Sequence, residues 1–154
     1  MRLPRFGAIL GAAFVIGGLA KQRVARFEVA EASMAPALGP GDWILATRFG
    51  RARRGAVVVY PFEDIDLVKR LIGLPGETVT IAGGQVHING TTIAEPWAEG
   101  PTSPDGEWEL GDEVFCLGDA RSRSAGDSRH IGPIPLDRVT WQVRAVYWPQ
   151  PRLV

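Results

Sequence analysis

Several residue types are scarce in this sequence of 154 residues, and each scarcity excludes a class of protein. Cys116 is the single cysteine, so no internal disulfide can form. With one cysteine and two well-separated histidines, a zinc site is not expected. The 17 basic and 17 acidic side chains balance, so the chain has no net positive charge that would favour binding of nucleic acid. We expect one domain with an apolar core, without a metal, a cofactor or a nucleic-acid partner.

Lysine is scarce as well. Fifteen of the 17 basic residues are arginine, and the two lysines are Lys21 and Lys69. Arginine stays protonated in proteins, whereas a buried lysine can lose its proton and act as a base. A GC-rich genome would also produce this bias, but it does not explain which lysines remain.

Long apolar runs are rare, and the one at the N-terminus covers residues 6–20 without a charge. At about 1.5 Å per residue, this run makes roughly 22 Å of helix, less than the roughly 30 Å of a bilayer core. Lys21 can extend the span by reaching the lipid headgroups. Residues 1–25 are therefore predicted to form a membrane anchor. A signal peptide cleaved after Ala20 and a buried helix are the alternatives.

The chain after residue 26 is predicted to be mainly β. Turn signals recur about every 8–12 residues, no amphipathic helix of useful length occurs, and residues 96–106 form a loop rich in proline and glycine. This pattern is typical of an antiparallel sandwich or barrel over residues 26–154. The predicted strands cover residues 27–30, 43–46, 56–60, 66–72, 78–81, 85–88, 91–93, 113–117 and 139–148.

A nucleophile paired with histidine has little support. The sequence contains no Gly-x-Ser-x-Gly motif, His87 lies in an alternating strand and His130 lies in a polar turn. Ser33 is a better candidate nucleophile, because its small neighbours Ala32 and Ala35 let a substrate backbone approach.

Lys69 is the matching candidate base. In a regular strand it shares a face with Leu67 and Leu71, so it points to the core while Arg70 points outward. Burial disfavours an ammonium, which lowers the pKa of such a lysine, and a neutral amine can take the proton of a serine hydroxyl. A lysine at a strand edge that reaches solvent is the alternative.

Four motifs occur in order between residues 27 and 148, and a hairpin motif adds a fifth. They are Ser33-Met34-x-Pro36, Gly41-Asp42-x-Ile44-Leu45, Lys69-Arg70-x-x-Gly73-x-Pro75-Gly76-Glu77-x-Val79, Val86-His87-Ile88-Asn89-Gly90 with Glu95-Pro96, and Gly118-Asp119 with Asp127-Ser128-Arg129-x-x-Gly132. In this order they resemble the boxes of type I signal peptidases.

The resemblance implies a signal peptidase type of antiparallel β domain with an N-terminal apolar helix. It also implies a monomeric serine endopeptidase that removes signal peptides from preproteins after small residues, in an Ala-x-Ala pattern. The expected partners are signal peptides and the lipid bilayer. The expected location is the cytoplasmic membrane, crossed once, with the catalytic domain on the outer face.

The resemblance also assigns roles to residues. Ser33 is the nucleophile, Lys69 the general base, Ser124 the residue that orients Lys69, and Asp127 with Arg129 an ion pair that stiffens the site. A substrate strand would lie beside residues 27–31 and 66–69. The residues expected to shape its pockets are Val29, Ala30, Glu31, Met34, Leu38 and Val68.

Three features depart from the family pattern. Glu31 stands where a serine or glycine is usual, and an ionised carboxylate cannot donate to an oxyanion. The motif around Ser124 is one residue longer than usual, so Ser122 and Ser128 stay open as orienting residues. Residues 83–112 are shorter than the second domain of some members, which predicts a small inserted hairpin and loop.

Other functions stay open at this point. A processing peptidase with one client, of the conjugation-pilin or metalloenzyme-maturation kind, fits the short chain and Glu31. A self-cleaving repressor would need a regulatory N-terminus in place of the apolar run. A relative that binds signal peptides without cutting them is a third alternative, although both Ser33 and Lys69 are present.

Overall fold

A computed structural model describes residues 23–154 of the protein. Of the anchor predicted over residues 1–25, residues 1–22 lie outside the described residues, whereas Val24 and Ala25 lie in the first β-strand. Within residues 23–154, no helix is long and apolar enough to cross a membrane.

The described residues form two antiparallel sheets joined by short turns. The bounds of the elements are β1 (Val24–Glu28), β2 (Trp43–Arg48), β3 (Val57–Phe62), β4 (Ile65–Gly73), β5 (Thr78–Ala82), β6 (Gln85–Ile88), β7 (Thr91–Thr92), β8 (Gly106–Glu109), β9 (Glu113–Leu117), α1 (Ser128–Ile131), β10 (Ile134–Pro135), β11 (Trp141–Trp148) and β12 (Arg152–Leu153). Two single 3-10 turns cover Arg121–Arg123 and Leu136–Arg138.

The larger sheet carries the candidate site. Its strand order is β1-β2-β11-β3-β4-β9-β10, and β12 pairs with β11. β11 pairs with β2 along its length but with β3 only at Trp141 and Gln142, and it contains two register shifts. Such irregularities bend a strand and increase its twist. β4 pairs with β9 only from Arg70 onward, which leaves the first half of that edge open.

The central strands are buried on both faces. Val57 and Val59 of β3 pack into one apolar cluster, with Val29, Met34 and Leu38. Val58 and Tyr60, on the opposite face of β3, pack into another cluster with Leu71 and Cys116. Because β3 is covered on both sides, its sequence is a continuous apolar run rather than an alternation.

The smaller sheet has the order β7-β6-β5-β8 and its own apolar cluster, which includes Val79, Ile81 and Phe115. Asn89 and Gly90 connect β6 to β7 with φ angles of 50° and 81°. Positive φ at both central residues is the requirement of the tight hairpin turn that an Asn-Gly pair predicts. The segment predicted as an inserted hairpin and loop thus contributes three of the four strands of this sheet.

The mainly β antiparallel fold predicted from the sequence is confirmed. Three strands were not predicted: β8, β10 and β12. β10 and β12 have only two residues each, too few to produce an alternation in the sequence.

Candidate active site

A groove of about 370 Å³ lies between the chain that follows β1 and the open edge of β4. Its lining residues come from two stretches of sequence, 28–34 and 65–69. The open half of β4 offers unpaired backbone groups, to which an extended peptide can add as a further strand. The family resemblance implies a substrate strand beside residues 27–31 and 66–69, which overlap these two stretches.

Ser33 lies in the irregular segment between β1 and β2, and backbone hydrogen bonds hold both sides of that segment. Val29 N–H donates to the carbonyl of Asp42, and Gly41 N–H donates to the carbonyl of Val29, both at 2.8 Å. The carbonyl of Ser33 accepts from Ala120 N–H at 3.1 Å. The segment is therefore tied both to β2 and to the chain after β9.

The side chains of Ser33 and Lys69 meet in this groove. Ser33 Oγ and Lys69 Nζ are 2.8 Å apart, which is hydrogen-bond distance, although 36 residues separate them in sequence. Both residues are buried, with 6% and 3% of their surface exposed. The strand alternation thus placed Lys69 correctly on an inward face.

The surroundings of Lys69 favour its neutral form. Burial lowers the pKa of Lys69, and this effect outweighs the carboxylates of Asp127 and Glu31, which raise the pKa. A neutral amine has a lone pair, so Lys69 Nζ can accept the proton of the Ser33 hydroxyl.

The backbone N–H of Ser33 has no recorded acceptor among residues 23–154. A free N–H beside a nucleophile is the group that stabilises a negative oxygen during acyl transfer. It is therefore the candidate oxyanion donor. Glu31, two residues earlier, lines the groove and offers a carboxylate rather than a second donor.

Asp127 is the centre of a buried polar network behind the dyad. It accepts from the Ser124 hydroxyl at 2.7 Å, from Gly118 N–H at 3.0 Å and from the Arg129 guanidinium at 2.9 Å. Burial raises the pKa of Asp127, but these hydrogen bonds, with Arg129 first, hold its pKa below the ordinary value. Asp127 therefore stays ionised and paired with Arg129, as in the ion pair that the sequence predicted.

The three candidate orienting serines have different surroundings. Ser122 is exposed. The Ser128 hydroxyl accepts from Cys116 N–H at 2.9 Å. Ser124 is buried and donates to Asp127, and it borders Gly118, which in turn borders the carbonyl of Ser33. Of the three serines, Ser124 is thus the one that shares the neighbour Gly118 with the carbonyl of the nucleophile. Its hydroxyl donates to Asp127 and not to Lys69.

Five of the six residues predicted to shape the substrate pockets line the groove: Val29, Ala30, Glu31, Met34 and Val68. Leu38 does not. It has 0% exposure and packs in the apolar cluster that also contains Val29 and Met34. Its position supports the floor of the groove rather than its surface.

Arg70 was predicted to point outward to solvent, and this prediction is wrong. Its guanidinium is buried, forms two hydrogen bonds with Asp119 at 2.8 and 2.5 Å, and lies 4.9 Å from the centre of the Trp97 ring. Lys69 and Arg70 do project to opposite faces, but both faces of β4 are covered at this point. Alternation alone cannot detect a second covering layer.

Gly118 is a residue that the sequence did not assign to the site. A Cβ atom there would lie 2.7 Å from the carbonyl oxygen of Ser33 and closer still to the side chain of Ser124. The absence of a side chain lets the nucleophile's segment and the Asp127 network pack together. The sequence signal that could have identified Gly118 is its place in the Gly118-Asp119 motif. The second residue of that motif, Asp119, forms an ion pair with Arg70, which follows Lys69.

The chain is similar to known proteins along most of its length. A family model described as "Signal peptidase, peptidase S26" matches residues 3–148. Signal peptidase I of Leptolyngbya laminosa is 34% identical, in a match that covers 79% of the chain and 67% of that protein. Signal peptidase I V of Bacillus subtilis (strain 168) is 33% identical, over 70% of the chain and 76% of that protein.

A solved structure gives the same result. The crystal structure of a signal peptidase I from Enterococcus faecalis V583 superimposes with a TM-score of 0.53 and 27% identity. The match covers 59% of the chain and 95% of that structure.

Proposed function

The chain belongs to the signal peptidase family, peptidase S26, and on this premise we propose that it removes signal peptides from preproteins with Ser33 as nucleophile and Lys69 as general base. The observation that carries this proposal is the 2.8 Å distance between Ser33 Oγ and Lys69 Nζ in a groove open to an extended peptide.

The first half of the reaction follows from this distance. Neutral Lys69 accepts the proton of the Ser33 hydroxyl while Oγ attacks the scissile carbonyl. The developing oxyanion lies near the free N–H of Ser33. The Lys69 ammonium then gives its proton to the amine that leaves, and the signal peptide remains bound to Ser33 Oγ as an ester.

In the second half, water takes the place of the amine. Lys69, neutral again, accepts a proton from the water as the oxygen attacks the ester carbonyl. Ser33 recovers its proton from Lys69 as the ester bond breaks. The network of Ser124, Asp127 and Arg129 holds the backbone that precedes α1 in position, because its members hydrogen-bond one another and the carbonyls of Arg121 and Ser124.

Substrate selection follows from the walls of the groove. Ala30 and Val68 line the groove with small or branched side chains, and Val29 and Met34 also line it although both are buried. Such shallow apolar surfaces fit alanine better than a large side chain, since overfilling a packed site is unfavourable. Preproteins with an Ala-x-Ala pattern are therefore the proposed clients.

The test is cleavage of an Ala-x-Ala preprotein by the full-length protein in detergent. Ser33→Ala and Lys69→Met are each expected to abolish product formation while the thermal unfolding curve remains cooperative. Ser103→Ala is the matched control, because Ser103 is exposed and only its backbone carbonyl is recorded in a hydrogen bond. Cleavage by either dyad variant at the wild-type rate would refute the dyad. Binding without cleavage by the wild type would select the non-catalytic alternative.

Membrane attachment is part of the same proposal. The apolar run of residues 6–20 would anchor the chain, and an aromatic patch of Trp43, Tyr147 and Trp148 would face the lipid headgroups, where tryptophan and tyrosine are favoured. These three side chains are 38%, 37% and 62% exposed. Alkaline extraction of membranes should leave the full chain in the pellet, and protease added from the outer side should reach the β domain. Release of the chain into the supernatant would contradict the anchor.

A further inference from the structure

Apart from Lys69 of the dyad, the ionisable side chains that line the groove are all acidic. Its acidic residues are Glu28, Glu31 and Asp66, and no arginine among residues 23–154 contributes to its lining. The one basic residue is Lys69, whose Nζ is within hydrogen-bond distance of Ser33. A groove with this lining presents a negative surface to whatever peptide enters it.

The three carboxylates have no ion-pair partner in the part of the chain that the structure describes. Seven ion pairs are recorded among residues 23–154, and none of them includes Glu28, Glu31 or Asp66. All three residues are exposed. By contrast, four other acids, Asp42, Glu77, Glu95 and Glu99, are each paired with an arginine elsewhere on the molecule. The negative charge is thus left available in the groove.

Glu31 has the position from which a substrate's charge can affect cleavage. It precedes Ser33 by two residues, lines the same groove as the dyad, and its negative charge raises the pKa of Lys69. Asp66 lies three residues from Lys69 along β4, roughly 10 Å away at the rise of a strand. Glu31 is therefore the acid next to the reacting bond, and Asp66 lies further along the peptide.

We propose that Glu31 is a specificity-determining residue, which makes this peptidase prefer substrates with a basic side chain close to the small residues at the cleavage site. This inference rests on the proposed function, because it assumes that the groove holds the peptide that is cut. The preference comes from Coulomb attraction between a substrate lysine or arginine and the unpaired carboxylate of Glu31. A substrate with an acidic side chain at the same place meets repulsion.

The experiment uses the full-length protein in detergent and a set of Ala-x-Ala peptides. In each peptide a single lysine, glutamine or glutamate occupies one position on either side of the scissile bond. At one of these positions we expect lysine to raise kcat/KM roughly fivefold over glutamine, which is the effect of a partly exposed ion pair. At the same position glutamate should lower kcat/KM below the value for glutamine. Glu31→Gln should remove this ratio, and Glu31→Lys should invert it in favour of glutamate.

Asp64→Asn is the matched control. Asp64 is an exposed acid in the turn before β4, near the groove but not in its lining, so its loss removes the same charge without removing a groove contact. Its lysine-to-glutamine ratio should equal that of the wild type. Ratios between peptides are compared within each variant, so a change in the reactivity of Lys69 cancels.

Two results separate the inference from the proposed function. If the wild type cuts all charged peptides equally, or if the preference persists in Glu31→Gln, the inference fails and the peptidase function stands. If the wild type cuts no Ala-x-Ala peptide, the proposed function fails and the inference fails with it. Should Glu31→Gln be inactive, the other two acids of the groove decide. The lysine preference must persist in Glu28→Gln and in Asp66→Asn, and its loss in either variant would assign the preference to that acid instead of Glu31.

Discussion

Replacing Gly118 by alanine tests how closely the segment of the nucleophile packs against the Asp127 network. The new Cβ would lie 2.7 Å from the carbonyl oxygen of Ser33 and would overlap the side chain of Ser124. The carbonyl belongs to the backbone, and the Ser124 hydroxyl is held by Asp127, so neither neighbour can withdraw by a simple rotation. The variant must therefore displace Ser33, Ser124 or Gly118 itself.

The magnitude follows from this overlap. Forcing one extra carbon into a packed interior destabilises a protein by about 1–3 kcal/mol. For a chain of this size that corresponds to a Tm about 2–12 °C lower. A displacement of about 1 Å at a catalytic group lowers the rate about a hundredfold. Gly118→Ala is thus expected to lose activity and stability by comparable free energies, because a hundredfold loss of rate is about 2.7 kcal/mol.

The assay combines thermal unfolding with kcat/KM on an Ala-x-Ala preprotein. Gly111→Ala is the matched control, because a Cβ at Gly111 meets no atom within 4 Å and its φ is not positive. That variant should keep both its Tm and its activity. Close packing at Gly118 is refuted if Gly118→Ala unfolds within about 1 °C of Gly111→Ala, less than the smallest expected shift of about 2 °C, and cleaves the preprotein equally fast.

Three further predictions concern buried groups. The value of kcat/KM should fall as the pH falls through the lowered pKa of Lys69, since the ammonium cannot accept a proton. In Glu31→Gln this fall in kcat/KM should occur at lower pH, because the Glu31 carboxylate raises the pKa of Lys69 in the wild type. A fall at an unchanged pH would exclude this charge effect. Asp119→Asn should lower the free energy of unfolding in urea by about 3–5 kcal/mol, because it leaves the buried guanidinium of Arg70 without a counter-charge; a loss below 1 kcal/mol would show that the pair is not needed. Tyr60→Phe should raise the free energy of unfolding by about 1 kcal/mol, because the Tyr60 hydroxyl is buried without a recorded partner among residues 23–154; a lower stability of the variant would reveal a missing partner.

Local sequence patterns predicted strands and turns well where the conformation of a residue depends on residues adjacent to it in the sequence. The Asn89-Gly90 pair predicted the hairpin between β6 and β7, because positive φ at both residues is a property of those two residues. The alternation in β4 likewise placed Lys69 on an inward face. It failed for Arg70, because whether a face meets solvent or another layer depends on chain far away in sequence.

The site shows the same division. The sequence by itself determined that Lys69 lies on a buried face of a strand, that Ser33 lies in an irregular segment between strands, and that their motifs match one family. Only the tertiary structure decided that the two side chains are 2.8 Å apart, that Ser124 donates to Asp127, and that Glu31 faces the groove without a counter-ion among the described residues. Burial, pairing and unpaired charge depend on contacts between distant segments, and those distances are fixed by packing rather than by the order of residues along the chain.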